Sequence, residues 1–135
     1  MALVKGHDTK PERVVRNLLH RMGYRFRLHV KNLAGKPDIV LSKHGKAVFV
    51  HGCFWHGHRK CPRAARPATN LEFWNKKLAG NIERDKRVIR ELRSGGWSVL
   101  TIWQCQIGNK ERLQRRLERF ISPKGNKSNE RSKQD

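Results

Sequence analysis

The run "HGCFWHGHRKC", from His51 to Cys61, limits the fold more than any other stretch of this chain. It follows directly on the apolar string "AVFV" and packs three histidines and two cysteines into eleven residues. A segment so rich in polar side chains and glycine has little apolar packing to fix it. The chain must therefore deliver a strand whose end opens into a loop held by some other force, and metal ligation is the first candidate.

The remaining pattern supplies the strand and its surroundings. From Thr9 the string "TKPERVVRNLLHRMGY" offers an N-cap, a proline and a glutamate in the first turn, and apolar residues at helical spacing up to Gly23. Three short β-rich runs follow, "RFRLHV", "DIVL" and "AVFVHG", separated by turns at Gly35-Lys36-Pro37 and Gly45. They predict a meander of three strands. Residues 70–93 predict a long basic helix with Leu71, Trp74, Leu78, Ile82, Ile89 and Leu92 on one stripe and Gly80 as a candidate kink. "WSVLTIW" reads as a strand of buried type, with Trp97 and Trp103 as core residues, and "KERLQRRLERFI" as a closing helix. The order α-β-β-β-α-β-α predicts an α/β fold, a mixed sheet flanked by helices. Residues 1–121 form the single expected domain, and "SPKGNKSNERSKQD", 122–135, a disordered basic tail.

Lys and Arg number 31 against 11 Asp and Glu, a formal net charge of +20. The tail accounts for only +2 of it, so the charge belongs to the folded part. Such a chain repels itself unless a polyanion is its partner, and nucleic acid is the expectation. With no apolar run near the roughly 18 residues of a membrane span, the expected location is the cytoplasm, associated with the nucleoid.

Cys53, His58 and Cys61 are spaced C-x4-H-x2-C, and Cys105 follows the last strand, so three thiols and an imidazole are available to one tetrahedral ion. His56 competes with His58 for the imidazole position, and spacing does not decide between them. The plainer reading, ordinary buried thiols, leaves their grouping with histidine unexplained. Asp38 opens one predicted strand and His51 ends the next, so a hairpin brings a carboxylate and an imidazole to one sheet edge. A hard cation such as Mg²⁺ suits the first, and proton transfer from water suits the second. Glu12, on the first helix, is within reach through a water.

Together "GKPDIVL", "VFVHGCFWHGH", "EFW" and "ERD" with "GWSVLTIWQC" resemble the very short patch repair (Vsr-type) DNA mismatch endonucleases over about residues 9 to 121. The resemblance implies a restriction-endonuclease-like (PD-(D/E)XK-type) core, one structural zinc, catalytic Mg²⁺, and nicking of DNA beside a T:G mismatch. It implies Asp38 as the metal-binding carboxylate, the backbone carbonyl of Val50 as a second Mg²⁺ ligand, and Glu12 as support through water. His51 and His56 become the catalytic histidines, with His56 the general base. Cys53, His58, Cys61 and Cys105 become the zinc ligands, and Phe54, Trp55 and Trp74 the rings that enter the base stack. A monomer acting on double-stranded DNA is expected, with mismatch-repair proteins as candidate partners. The His58–Cys61 interval is one residue longer than in some relatives, and Phe49 and His51 stand where the wider nuclease superfamily has an acid and a lysine. Two other readings use the same features: a homing, mobile-element or restriction-associated endonuclease on this core, and a zinc-stabilised DNA-binding module without activity. The second has no need of Asp38, His51 and His56 together.

Overall fold

Helix α1, Lys10–Arg21, starts where its cap says it should. Thr9 is extended and its hydroxyl accepts the Glu12 N–H at 3.4 Å, while Pro11 occupies the first turn, where a missing N–H costs nothing. The computed structural model describes residues 9–122, so the expected tail beyond Ser122 lies outside the described residues.

Strands β1 (Arg27–Leu28), β2 (Ile39–Leu41) and β3 (Lys46–His51) form the antiparallel meander, paired Leu28 to Ile39 and Ile39 to Val48. The left-handed Gly45, φ 66°, turns the chain from β2 into β3. Helix α2 (Leu71–Ser94) then crosses over, and β4 (Ser98–Trp103) lies parallel to β3 in a register running from Lys46–Ser98 to His51–Trp103. A parallel partner requires such a crossover. Helix α3 (Lys110–Ile121), capped by the Asn109 side chain, ends the described fold.

The sheet order is β1-β2-β3-β4. Alternation along the strands sends Ile39, Leu41, Val48 and Ile102 into one core with Val15, Leu18 and Leu19 of α1 and Leu113, Leu117 and Ile121 of α3. Val40, Ala47 and Phe49 are buried on the opposite face, where Phe49 shares a cleft with Asp85 and Val88 of α2. The mixed sheet flanked by helices is thus as expected.

Three burial expectations fail, each for a reason in the topology. Strand β4 buries only Ile102, because it is an edge strand with β3 as its one neighbour. Trp97 and Trp103 are half-buried, not core. Leu71 is 46% exposed, since the apolar stripe of α2 begins in a first turn that overhangs the core. The helix itself continues unbroken through Gly80, which faces open space. No described helix is long and apolar enough to cross a membrane.

Candidate active site and metal centre

Asp38 immediately precedes β2, and the β2–β3 hairpin lays it beside the end of β3. There the Val50 N–H donates to Asp38 Oδ2 at 2.7 Å. A cleft of about 400 Å³ opens at this end of the sheet, lined by Glu12, Asp38, Val50, His51 and His56 among others. A second, of about 320 Å³, shares Asp38, Val50, His51 and His56 and reaches across to Asp85 on α2. All four catalytic candidates of the sequence, together with Val50, therefore converge.

Burial pushes the Asp38 carboxyl up to about 6; the Val50 hydrogen bond opposes this, the charge of Glu12 adds to it, and His29 and His56 oppose it. A cation would relieve that strain. Glu12 is 2% exposed and sits 2.7 Å from His29 Nε2 and 3.3 Å from an Arg16 nitrogen. Glu12, His29 and Asp38 each offer one ligand atom within 4.8 Å of the others, a donor set able to hold a divalent ion.

His51 and His56 stack face to face, centroids 3.7 Å apart and planes 3° from parallel. His56 Nδ1 is 2.7 Å from Asp85 Oδ2. Burial holds the His51 imidazole down at about 4, with His56 adding to the effect and Asp85 opposing it, so His51 is neutral at pH 7. Its Nδ1 is buried with no hydrogen-bond partner among the described residues. Such an atom costs about 1–3 kcal/mol until something supplies a partner.

The loop after His51 folds back on itself. His56 N–H donates to the Gly52 carbonyl at 3.2 Å and His58 N–H to the Cys53 carbonyl at 2.9 Å, which returns His58 to Cys53 and sends His56 the other way. The side chains group accordingly: His58 lies with Cys53, Cys61 and Cys105, all with ligand atoms within 4.8 Å, and His56 lies with His51 and Asp85. The two residues between His58 and Cys61 are accommodated by a left-handed Lys60, φ 56°. Gly57 is also left-handed, φ 58°, and a Cβ there would meet Ile82 Cδ1 of α2 at 2.5 Å, so only glycine lets the loop approach the helix. The Asn81 side-chain amide donates to the Trp55 carbonyl at 2.8 Å from the same helix.

Three sulfurs and one imidazole are the donor types of a closed zinc site. The thiols behave as a crowded set. Burial pushes the Cys53 thiol up to about 11, with a backbone hydrogen bond from Cys105 opposing and the Cys105 and Cys61 thiols adding to the rise. For Cys61, desolvation is outweighed by hydrogen bonds from the Arg63 backbone, the neighbouring thiols and the Ala64 backbone, so its thiol lies below the ordinary range. Trp103 stacks on His58 at 4.0 Å and 6°, and meets His51 edge-on at 5.3 Å.

Phe54, Trp55 and Trp74 form one half-buried aromatic cluster with edge-on contacts of 5.1 to 5.8 Å. Phe73, 57% exposed and 5.1 Å from Trp74, adds a fourth ring that the helical stripe gave no reason to select. His29 and Asp85 were also missed. Asp85 stands in the quoted "ERD", but nothing local distinguishes it from a solvated helix acid, and His29 sits in a strand-like run where histidine has no pattern.

Residues 1–63 match the family described as "DNA mismatch endonuclease Vsr". The chain is 44% identical over 123 residues to the type II nicking enzyme V.XorIIP of Xanthomonas oryzae, covering 91% of this chain and 90% of that one. It is 38% identical over 130 residues to the DNA mismatch endonuclease Vsr of Escherichia coli, covering 93% and 83%. Among solved structures, the catalytic domain of the homing endonuclease I-Bth0305I superposes with a TM-score of 0.59 at 25% identity, covering 84% of this chain and 94% of the domain.

Proposed function

Since the chain belongs to the DNA mismatch endonuclease Vsr family and is an endodeoxyribonuclease, we propose that it nicks one strand of duplex DNA beside a T:G mismatch, with Mg²⁺ at Asp38 and structural zinc in the loop. The observation that carries this reading is the meeting, in one cleft, of the Asp38 carboxylate with an imidazole already oriented by a carboxylate, His56 on Asp85 at 2.7 Å.

In this reading Asp85 accepts the Nδ1–H of His56 and fixes that tautomer, which leaves Nε2 to take the proton of the attacking water. Asp85 then stabilises the imidazolium that results. His51 stays neutral beneath it, so the stacked pair never carries two charges. Asp38 and the Val50 backbone carbonyl would hold Mg²⁺, with Glu12 supporting through water; the ion, when bound, supplies Lewis-acid polarisation of the phosphoryl group. Cys53, His58, Cys61 and Cys105 would hold zinc, which closes the loop that carries His56.

Phe54, Trp55 and Trp74 serve as a wedge, because an aromatic face enters a base step most easily where stacking is already weak. The net charge of +20 supplies phosphate affinity without sequence preference. The test is to incubate zinc-loaded protein and Mg²⁺ with matched and T:G-mismatched duplexes in several flanks and map the cuts. Equal cleavage of matched duplex refutes the mismatch reading. The homing-endonuclease neighbour favours a second reading, cutting that follows sequence regardless of mismatch, and the same map separates the two.

A further inference from the structure

His29 has no part in the steps above, yet its placement is costly and specific. Its backbone is left-handed, φ 49°, a conformation that burdens a non-glycine residue by about 1–3 kcal/mol. Its N–H donates to the Asp38 carbonyl at 3.0 Å, one residue beyond the Leu28–Ile39 pair that ends the β1–β2 ladder. Its Nε2 lies 2.7 Å from Glu12 Oε2, on a carboxylate that is 2% exposed. The backbone turn therefore aims an imidazole at the two carboxylates of the cation site and anchors it to one of them.

We propose that His29 is a nitrogen ligand of the divalent cation held at Asp38, and that it tunes this chain's site toward manganese relative to magnesium. The inference rests on the reading of Asp38 as the cation-binding carboxylate. Ligand atoms of Glu12, His29 and Asp38 all lie within 4.8 Å of one another. Donor distances of about 2.0–2.2 Å put the ligands of an octahedral ion about 3 to 4.4 Å apart, close to the 4.8 Å within which the His29 and Asp38 atoms lie, and Glu12 still joins through a water. An all-oxygen set suits Mg²⁺, which dehydrates reluctantly and prefers oxygen. Imidazole nitrogen favours ions further along the first transition row, so replacing one oxygen by nitrogen raises Mn²⁺ affinity more than Mg²⁺ affinity.

The experiment uses the zinc-loaded full chain without DNA. Mn²⁺ and Mg²⁺ affinities are measured by calorimetry, and ¹⁴N coupling to bound Mn²⁺ by pulsed electron paramagnetic resonance. Wild type should show ¹⁴N coupling. His29→Gln should remove it and weaken Mn²⁺ about tenfold or more while changing Mg²⁺ far less. His29→Asn, whose side chain tolerates the left-handed backbone, should do the same and guards against a folding artefact. Coupling that persists in both variants, or equal losses for the two ions, overturns the proposal and makes His29 a positioning residue for Glu12. Asp38→Ala separates the levels. If it abolishes Mn²⁺ binding while the His29 variants leave binding and coupling unchanged, only the His29 inference fails; if it binds Mn²⁺ like wild type, the assignment of the cation to Asp38 fails as well.

Discussion

Replacing Asp38 by asparagine should stabilise the magnesium-free protein near neutral pH. Burial, with help from Glu12, raises this carboxyl from 3.8 to about 6, against the Val50 hydrogen bond and the nearby histidines. Between those values the folded chain holds a proton that the unfolded chain has released. The stability this group contributes is therefore fully present below 3.8 and is lost as pH rises through about 6. A shift of about two units at 1.36 kcal/mol each amounts to about 3 kcal/mol by pH 7. Asparagine retains an oxygen for the Val50 N–H and carries no charge, so the advantage of Asp38→Asn over wild type should grow by about 2 kcal/mol from pH 4 to pH 7, the rest having been lost below pH 4. His51 works in the opposite direction: its contribution is present above 6.5 and is lost as pH falls toward about 4. It is common to both proteins and cancels in the difference. Urea unfolding of zinc-loaded protein at several pH values, without Mg²⁺, reads the effect, and adding Mg²⁺ at pH 7 should stabilise wild type alone. A difference that is flat with pH, or that shrinks as pH rises, refutes the account of Asp38 as a buried carboxylate waiting for a cation.

Asp85→Asn should slow single-turnover nicking by about 10- to 150-fold, the worth of a charge-assisted hydrogen bond of about 1.5–3 kcal/mol, with DNA affinity unchanged; a normal rate removes Asp85 from the proton transfer. Trp55→Ala should cut the preference for T:G over T:A duplex by about 1–3 kcal/mol in binding, and undiminished discrimination would show that the ring is not a wedge. Purified protein should carry one zinc per chain by elemental analysis, and Cys61→Ala should lose it together with thermal stability; full stability of that variant speaks against a structural metal.

Much of the site was legible because its parts are close in sequence. The segment from Asp38 to Cys61 folds as a hairpin and a loop, and local rules of alternation and turn chemistry bring its members together. Asp85 lies 29 residues from His56, and their contact comes from the crossover that lays α2 over the sheet. No window of sequence contains that information. His29 depends on a left-handed backbone at a residue whose type does not demand one. The burial of β4 was misjudged for a related reason: an apolar string says that a strand is apolar, whereas its place in the sheet decides how many neighbours cover it.

The parallel register that sets His51 opposite Trp103 makes one indole a wall of both centres, edge-on to His51 and stacked on His58. The unit that can be transplanted or inherited is consequently larger than the ligand-rich loop. A designer who moved residues 51–61 onto another sheet would need the end of its parallel neighbour too, and over descent a change at position 103 has to keep two ring contacts at once.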